Sequence, residues 1–296
     1  MKGRSADRAA TMAFWAAAGF VILLLAFLLG RTLYYGLPHI SWDFLTGPPS
    51  NFKAGGGVGP QLFNSLYLLV ISMLITVPLA VTGAIYLAEY AKEGPLASAI
   101  RLSLETLASL PSIVVGLFGL LLFVNLAGWG YSALAGAMAL TVLNLPAMVR
   151  IAEEALRAVP RELREASLAL GVPKWVTIRK VVLPAAFPAL LTGVVLISGR
   201  VFGEAAALLY TAGMSSPNIS LAQLDPTSPR SAINLFRPAE TLAVHIWKVN
   251  SEGVIPDIRR VADGSAAVLV LVVMVFNLLA RWLGRRVGNR LMGTGA

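Results

Sequence analysis

No cysteine occurs in this chain of 296 residues, and charge is scarce, with Asp, Glu, Lys and Arg together making up 13% of it. Without cysteine there is no disulfide and no thiolate metal site. The sequence also lacks a phosphate-cradling loop followed by Lys-Ser/Thr, a cluster of metal ligands, and a nucleophile with a base at useful spacing. It therefore assigns no catalytic residue, no metal and no cofactor, and an enzyme is not expected. His245 stands alone and is assigned no chemistry. Internal repeats and low-complexity tracts are missing too. What fills the chain is apolar: 57% of it is hydrophobic, gathered into long runs rather than spread as a diffuse surplus.

Each long run is near the length needed to cross a hydrocarbon core of about 30 Å. Six spans are expected: Ala13 to Gly30, Leu62 to Tyr90 with a kink at Pro78, and Leu102 to Leu126 with Glu105 near one end and Pro111 inside. Ala133 to Val149, carrying Asn144 and Pro146, then Ala185 to Ala212 and Ser265 to Leu283 complete the set. The first run is long for a signal peptide and no small-residue cleavage site follows, so it is read as a retained span. The expected fold class is an all-α integral membrane protein, with a transmembrane domain over 13–283 between a short N-terminus (1–12) and a tail (284–296).

Charge orients the spans. With both termini in the cytoplasm of a cell-membrane protein, sixteen of the 24 Lys and Arg lie inside and seven outside, as the positive-inside rule asks. That distribution accounts for the net charge of +9 without nucleic acid as a partner. On the outer side, Gly55-Gly56-Gly57-Val58-Gly59-Pro60 reads as a flexible linker, with a lining of the substrate path as the alternative, and the longer segment 213–263 contains an apolar helical pattern from Ala239 to Asn250. That pattern suits a helix lying in the membrane interface, anchored by Trp247, or a contact surface for an external solute-binding protein.

The polar, basic segment 150–184 organises the rest. Arg161 to Leu170 is built from good helix formers, with Leu163, Ala166 and Leu170 at helical spacing. Gly171 supplies a left-handed stop, Pro173 opens a second helix, and Pro184 is expected to end or kink it. The product is a helix-turn-helix knob shaped to dock into a partner.

The pattern Glu165-Ala166-Ser167, then Gly171, then Val181-Val182-Leu183-Pro184 resembles the cytoplasmic loop of the membrane subunits of ABC importers, with Ser167 and Val181 in place of the more usual Ala and Ile. Over nearly its whole length the chain is similar to the PstA-type permeases of phosphate-specific ABC import systems. The residues carrying that likeness are Gly56 to Pro60, the stretch Glu105 to Leu117 and the stretch Gly203 to Gly213; Asn64-Ser65 stands where a Gly-Thr pair is common. The resemblance implies translocation of inorganic phosphate, and coupling to ATP hydrolysis through Glu165, Ala166, Gly171, Leu183 and Pro184. It also implies a pair of ABC ATPase subunits, a sister permease and an external phosphate-binding protein as partners, besides membrane lipid. Another oxyanion such as sulfate or molybdate is the alternative; a secondary transporter working without an ATPase is the more distant one.

Charged groups inside spans are functional candidates because each is costly in lipid. Arg200 lies somewhat beyond the midplane of the fifth span, with Glu204 expected one turn on along the same face, so the two read either as a self-neutralising pair or as part of an anion path. Asn64, Ser65 and Asn144 line a path or bridge helices by hydrogen bonds. Glu89 and Glu105, closer to the inner interface, are read as structural.

Overall fold

The structure is a computed structural model and describes residues 2–50, 54–92, 94–220, 223, 225–253 and 256–291. Among these the architecture is helical throughout, with only one isolated bridge, between Ser220 and Ser231. The helices are α1 (Lys2–Gly36), α2 (Trp42–Thr46), α3 (Gly59–Ile85), α4 (Pro95–Ala108), α5 (Ser112–Gly119), α6 (Ala133–Arg157) and α7 (Arg161–Ala169). They continue with α8 (Lys174–Thr177), α9 (Leu183–Gly203), α10 (Ala206–Leu209), α11 (Leu242–Glu252) and α12 (Ile258–Leu291). Wider π turns extend α3 to Tyr90 and α5 to Leu126, and join α8 to α9.

Among the described residues, five helical stretches are long and apolar enough to cross a membrane: Ala10–His39, Gly59–Tyr90, Ala133–Arg157, Lys174–Gly203 and Ile258–Trp282. The sixth expected span is not one helix. α4 and α5 meet at a bend of 97°, so Leu102 to Leu126 is a broken or re-entrant element. Pro111 causes the break: it donates no hydrogen bond and drives Leu110 away from helical geometry, and its own ψ of 138° is extended.

Two further expectations are corrected. Pro184 neither ends nor breaks its helix, because it occupies the first turn of α9, where a missing N–H is tolerated, and the π turn Ile178–Val182 precedes it. Lys174–Gly203 is one continuous run. At its other end the helix stops at Gly203, nine residues before the expected Ala212, and Glu204 is already extended with ψ 123°.

Core packing joins α3 and α6 along their lengths, with α9 against both and α12 against α9. Small residues allow the closest approaches. A Cβ on Gly116 of α5 would stand 2.9 Å from the Ala207 Cα of α10, and one on Gly136 of α6 would stand 2.8 Å from the Ala212 Cβ. The stretches around Leu-Pro-Ser-Ile-Val-Val-Gly and Glu-Ala-Ala-Ala-Leu-Leu, far apart in sequence, are thus neighbours in space.

At the start of α3 the 204–257 segment folds back into the bundle and is clasped there. Arg237, only 1% exposed, donates from Nη1 to the Asn64 Oδ1 at 2.8 Å and from Nε to the Ser231 carbonyl at 3.1 Å, and its guanidinium faces the Phe63 and Tyr67 rings. Asn64 donates in turn to the Glu240 carbonyl at 3.0 Å and to the Ser216 hydroxyl at 3.1 Å. The buried Glu240 carboxylate accepts from Gln61 Nε2 at 2.9 Å, meets His245 Nδ1 at 3.2 Å and lies 3.6 Å from Lys248 Nζ. Ser65 accepts from the Leu242 amide at 2.9 Å. Thr241 caps α11, whose buried face includes Leu242, Val244 and Val249. The 239–250 pattern therefore forms a helix with one face packed into the bundle and Trp247 exposed on the other, and His245 is not alone but pairs with Glu240.

The glycine run is also no flexible linker. Gly57 donates to the Pro48 carbonyl and Val58 to the Phe44 carbonyl, each at 2.8 Å, while Gly59 donates to the Gly47 carbonyl at 3.1 Å. A Cβ on Gly57 would sit 2.5 Å from the Gly47 carbonyl oxygen and one on Gly59 2.5 Å from that of Thr46, at the end of α2, so only glycine fits this strap.

Burial alone would push the Glu240 carboxyl up, but His245, Gln61 and Lys248 together hold it below its ordinary value. As pH falls, the unfolded chain takes up this proton first, so the stability is present above the usual carboxylate range near pH 4.3 and is lost as pH drops through the depressed folded value. Thermal unfolding of the detergent-purified chain is expected to show this acid-side loss, and Glu240→Gln is expected to flatten it. Arg237→Ala, which takes a donor from Asn64 and from the Ser231, Ala232 and Pro238 carbonyls, is expected to cost about 2–4 kcal/mol at neutral pH, with Arg237→Lys restoring little because it lacks the planar fork.

Candidate functional site

The opposite end of α3 meets the knob. α7 begins after Pro160, whose extended ψ of 139° sets the turn out of α6, and its first turn carries Glu162. α7 ends at Gly171, which adopts φ +78° as its position in the sequence predicts; no atom stands within 4 Å of where its Cβ would be, so the requirement for glycine is conformational rather than steric. Pro173 then sits at the N-cap of α8.

One arginine bolts the knob to the bundle. Arg164 Nε meets Glu89 Oε1 at 3.0 Å, while its Nη1 and Nη2 donate to the Val159 and Leu156 carbonyls at 2.6 Å each. These carbonyls belong to the last turn of α6 and the residues after it, where the Leu156 carbonyl also accepts from the Val159 amide at 3.3 Å. Lys174 Nζ donates to the Glu89 carbonyl and lies 4.8 Å from the centre of the Tyr90 ring. Ser167 and Thr177 share a hydroxyl–hydroxyl bond of 2.9 Å across the two knob helices. Glu89 is thus structural, as its position suggested, and sits on the π turn that ends α3. Alongside it lies a cavity of about 520 Å³ lined by Arg157, Arg161, Arg164, Glu165 and Lys174.

Several apolar side chains of the knob are left uncovered among the described residues. Leu163 and Leu168 are each 45% exposed, Trp175 55% and Leu170 83%, and Glu165 and Ala166 beside them are exposed as well. Singly exposed apolar residues are ordinary; four on one small polar knob form a contact surface. Of the other residues assigned to this site, Leu183 is half-buried and Pro184 exposed at the root of α9.

The second group of sequence candidates separates. Arg200 is exposed near the far end of α9 and makes no ion pair among the described residues. Glu204, past the helix end, accepts from the Ala207 amide at 3.1 Å and so caps α10. The expected Arg200–Glu204 pair on one face is therefore absent, because the chain leaves the helix between them. Asn64 and Ser65 are 0% and 4% exposed and belong to the clasp, where they bridge elements. Asn144 is buried and donates to the Leu140 carbonyl at 2.8 Å. Glu105 lines a second cavity of about 520 Å³ between α4 and α6, together with Arg101, Arg150 and Glu153. Glu153 is held by two arginines, Arg157 at 2.9 Å and Arg101 at 3.0 Å.

Sequence reasoning missed Arg237, Glu240, Gln61 and His245. The available signal was Glu240-Thr241 ahead of an apolar helical pattern, a cap with a charge beside it, in a segment otherwise read as a polar loop.

These features match known proteins. The family described as "Binding-protein-dependent transport system inner membrane component" matches residues 80–293. The chain is 52% identical over 291 residues to the "Probable ABC transporter permease protein YqgI" of Bacillus subtilis, covering 98% of this chain and 99% of that one. It is 34% identical over 284 residues to the "Phosphate transport system permease protein PstA" of Yersinia pestis, covering 94% and 90%. Among solved structures, a bacterial alginate ABC transporter in complex with an alginate pentasaccharide-bound periplasmic protein has a chain that superposes with a TM-score of 0.65 at 15% identity, over 94% of this chain and 95% of that one. An inward-facing MetNI methionine ABC transporter gives 0.57 at 20% identity over 78% and 94%, and both likenesses speak for the fold alone. The chain belongs to the inner-membrane permease components of binding-protein-dependent ABC importers.

Proposed function

We propose that this permease carries inorganic phosphate, delivered by an external binding protein, through a pathway opened by ATP hydrolysis on separate subunits. The observation that carries the ATP-coupled part is the knob: a helix pair tied to the bundle whose apolar side chains Leu163, Leu170 and Trp175 stay exposed among the described residues. Its exposed Leu163, Ala166, Leu168 and Leu170 suit a cleft on an ABC ATPase, and a pair of such ATPases asks for a second permease beside this one. The excess of Lys and Arg at the knob end and the termini supports a cytoplasmic position for these and an external one for the 204–257 segment. The phosphate reading is supported by the relatives named as phosphate transport system permeases, including one from Mycobacterium leprae at 38% identity over 221 residues. Sulfate or molybdate is the competing cargo, and uptake of each anion by the assembled transporter in proteoliposomes distinguishes them.

Arg200 is the residue assigned to the anion. It is exposed in the single chain and makes no ion pair among the described residues, and a guanidinium keeps its charge and offers two parallel donors to a tetrahedral oxyanion. Arg200→Gln is expected to lower phosphate uptake roughly 10- to 100-fold, the loss of one charge-assisted hydrogen bond, while assembly persists. Near-normal uptake by this variant rules the assignment out.

Gly171→Val tests the knob itself. At φ +78° a β-branched residue costs on the order of 1–2 kcal/mol, so the turn is expected to deform and the ATPase to co-purify at reduced yield while the chain still reaches the membrane. A wild-type yield of ATPase with normal transport contradicts docking through this turn.

Arg164 tests the mounting instead of the docking. Arg164→Ala removes the tie to Glu89 but leaves the exposed apolar face intact. The ATPase is expected to remain bound, with more ATP hydrolysed per phosphate moved than in the wild type. An unchanged ratio shows that the tie plays no part in coupling.

A further inference from the structure

α1 is held to the rest of the chain at one end only. Its membrane-crossing stretch has no buried residue across its most apolar window, and its contacts are with α12 and the turn that follows α1. The closest approach is at Gly36, where a Cβ would collide with the Asp263 carbonyl and the Ala267 side chain. Immediately beside that crossing lies a cavity of about 500 Å³, at the clasp end of the bundle, whose polar lining comes from Arg31, Tyr35, Asn250, Arg259 and Asp263.

The charges there are unspent. Neither Arg31 nor Arg259 makes an ion pair among the described residues, although Asp263 lines the same cavity. Arg31 instead lies over the Tyr35 ring at 5.4 Å. Two guanidiniums against one carboxylate leave one net positive charge facing the space. The position is equally specific. Arg31 directly follows the apolar run Ala13 to Gly30, and Arg259 and Asp263 directly precede the apolar run that starts at Ser265, so the cavity stands at headgroup level. The ligand that matches is a singly charged phosphodiester whose acyl chains continue along the exposed apolar face of α1, where Phe20, Leu23 and Phe27 are each more than 60% exposed.

We propose that this cavity binds the phosphate of a glycerophospholipid headgroup, which thereby clamps α1 to α12. Arg31 and Arg259 hold the phosphate oxygens from the two helices, and the Tyr35 ring keeps Arg31 in place. The site is separate from the knob, from the clasp and from Arg200.

The test measures thermal unfolding of the complete transporter in detergent after delipidation. Three probes are added separately: dioleoylphosphatidylglycerol, dioleoylglycerol without a phosphate, and inorganic phosphate. Phosphatidylglycerol is expected to raise the unfolding midpoint by several degrees and dioleoylglycerol is not, while any rise with inorganic phosphate, bound on the transport path, is expected to survive the loss of Arg31 and Arg259. In the Arg31→Gln, Arg259→Gln double variant the rise with phosphatidylglycerol is expected to disappear, while Arg31→Lys with Arg259→Lys keeps part of it. A rise with inorganic phosphate that the double Gln variant abolishes assigns the site to a free anion and overturns the lipid clamp. An equal rise with dioleoylglycerol, or an undiminished rise in the double Gln variant, overturns the site altogether.

Discussion

A chain that crosses hydrocarbon must satisfy its own backbone wherever the helix is interrupted, and that constraint governs most of what is unusual in this fold. At Pro111 the interruption becomes a bend of 97°, and α10 and α6 pack against the helix that follows it. At Gly203 the helix stops, and Glu204 spends its carboxylate on the amide of Ala207. At Pro184 the missing donor is absorbed by a wide turn that keeps the helix running. Each interruption carries its own compensation within the chain.

The clasp obeys the same rule on a larger scale. Arg237 and Glu240 are each about 1% exposed, yet they do not pair with one another. Each is surrounded by neutral or oppositely charged partners drawn from the first turns of α3 and from the 204–257 segment. Burying charge in this way gains little net stability, since desolvation offsets much of the attraction. What it does fix is where the segment sits, because any other placement strands a charge. The clasp is a device of register more than of strength.

How much of this was legible in the sequence differs element by element. The knob was readable because its signals are local: helix formers, Gly171 at the turn, Pro173 at the next start. Five spans were readable because length and hydropathy are enough. The broken span was not, since Pro within an apolar run is compatible with a kink as well as with a bend of 97°. The Arg200–Glu204 pair failed because spacing assumes that the helix continues, and Gly203 ends it. The glycine strap failed for a different reason. A run of glycines looks flexible until a second turn, here the residues after α2, is known to press against it. Arg237 and Glu240 lay in what reads as a polar loop, and their burial depends on Gln61 and Asn64 more than 170 residues away.

The unbroken run from Lys174 to Gly203 has a mechanical meaning. From Lys174 at the knob to Arg200 there are 26 steps of about 1.5 Å, a rod of about 39 Å. Pivoted at the knob, a rod of that length converts a tilt of about 5° into a sideways travel of about 3 Å at Arg200, one hydrogen-bond length. Such a stroke is enough to make or to lose a contact. A helix that ended at Pro184 would have transmitted none of it.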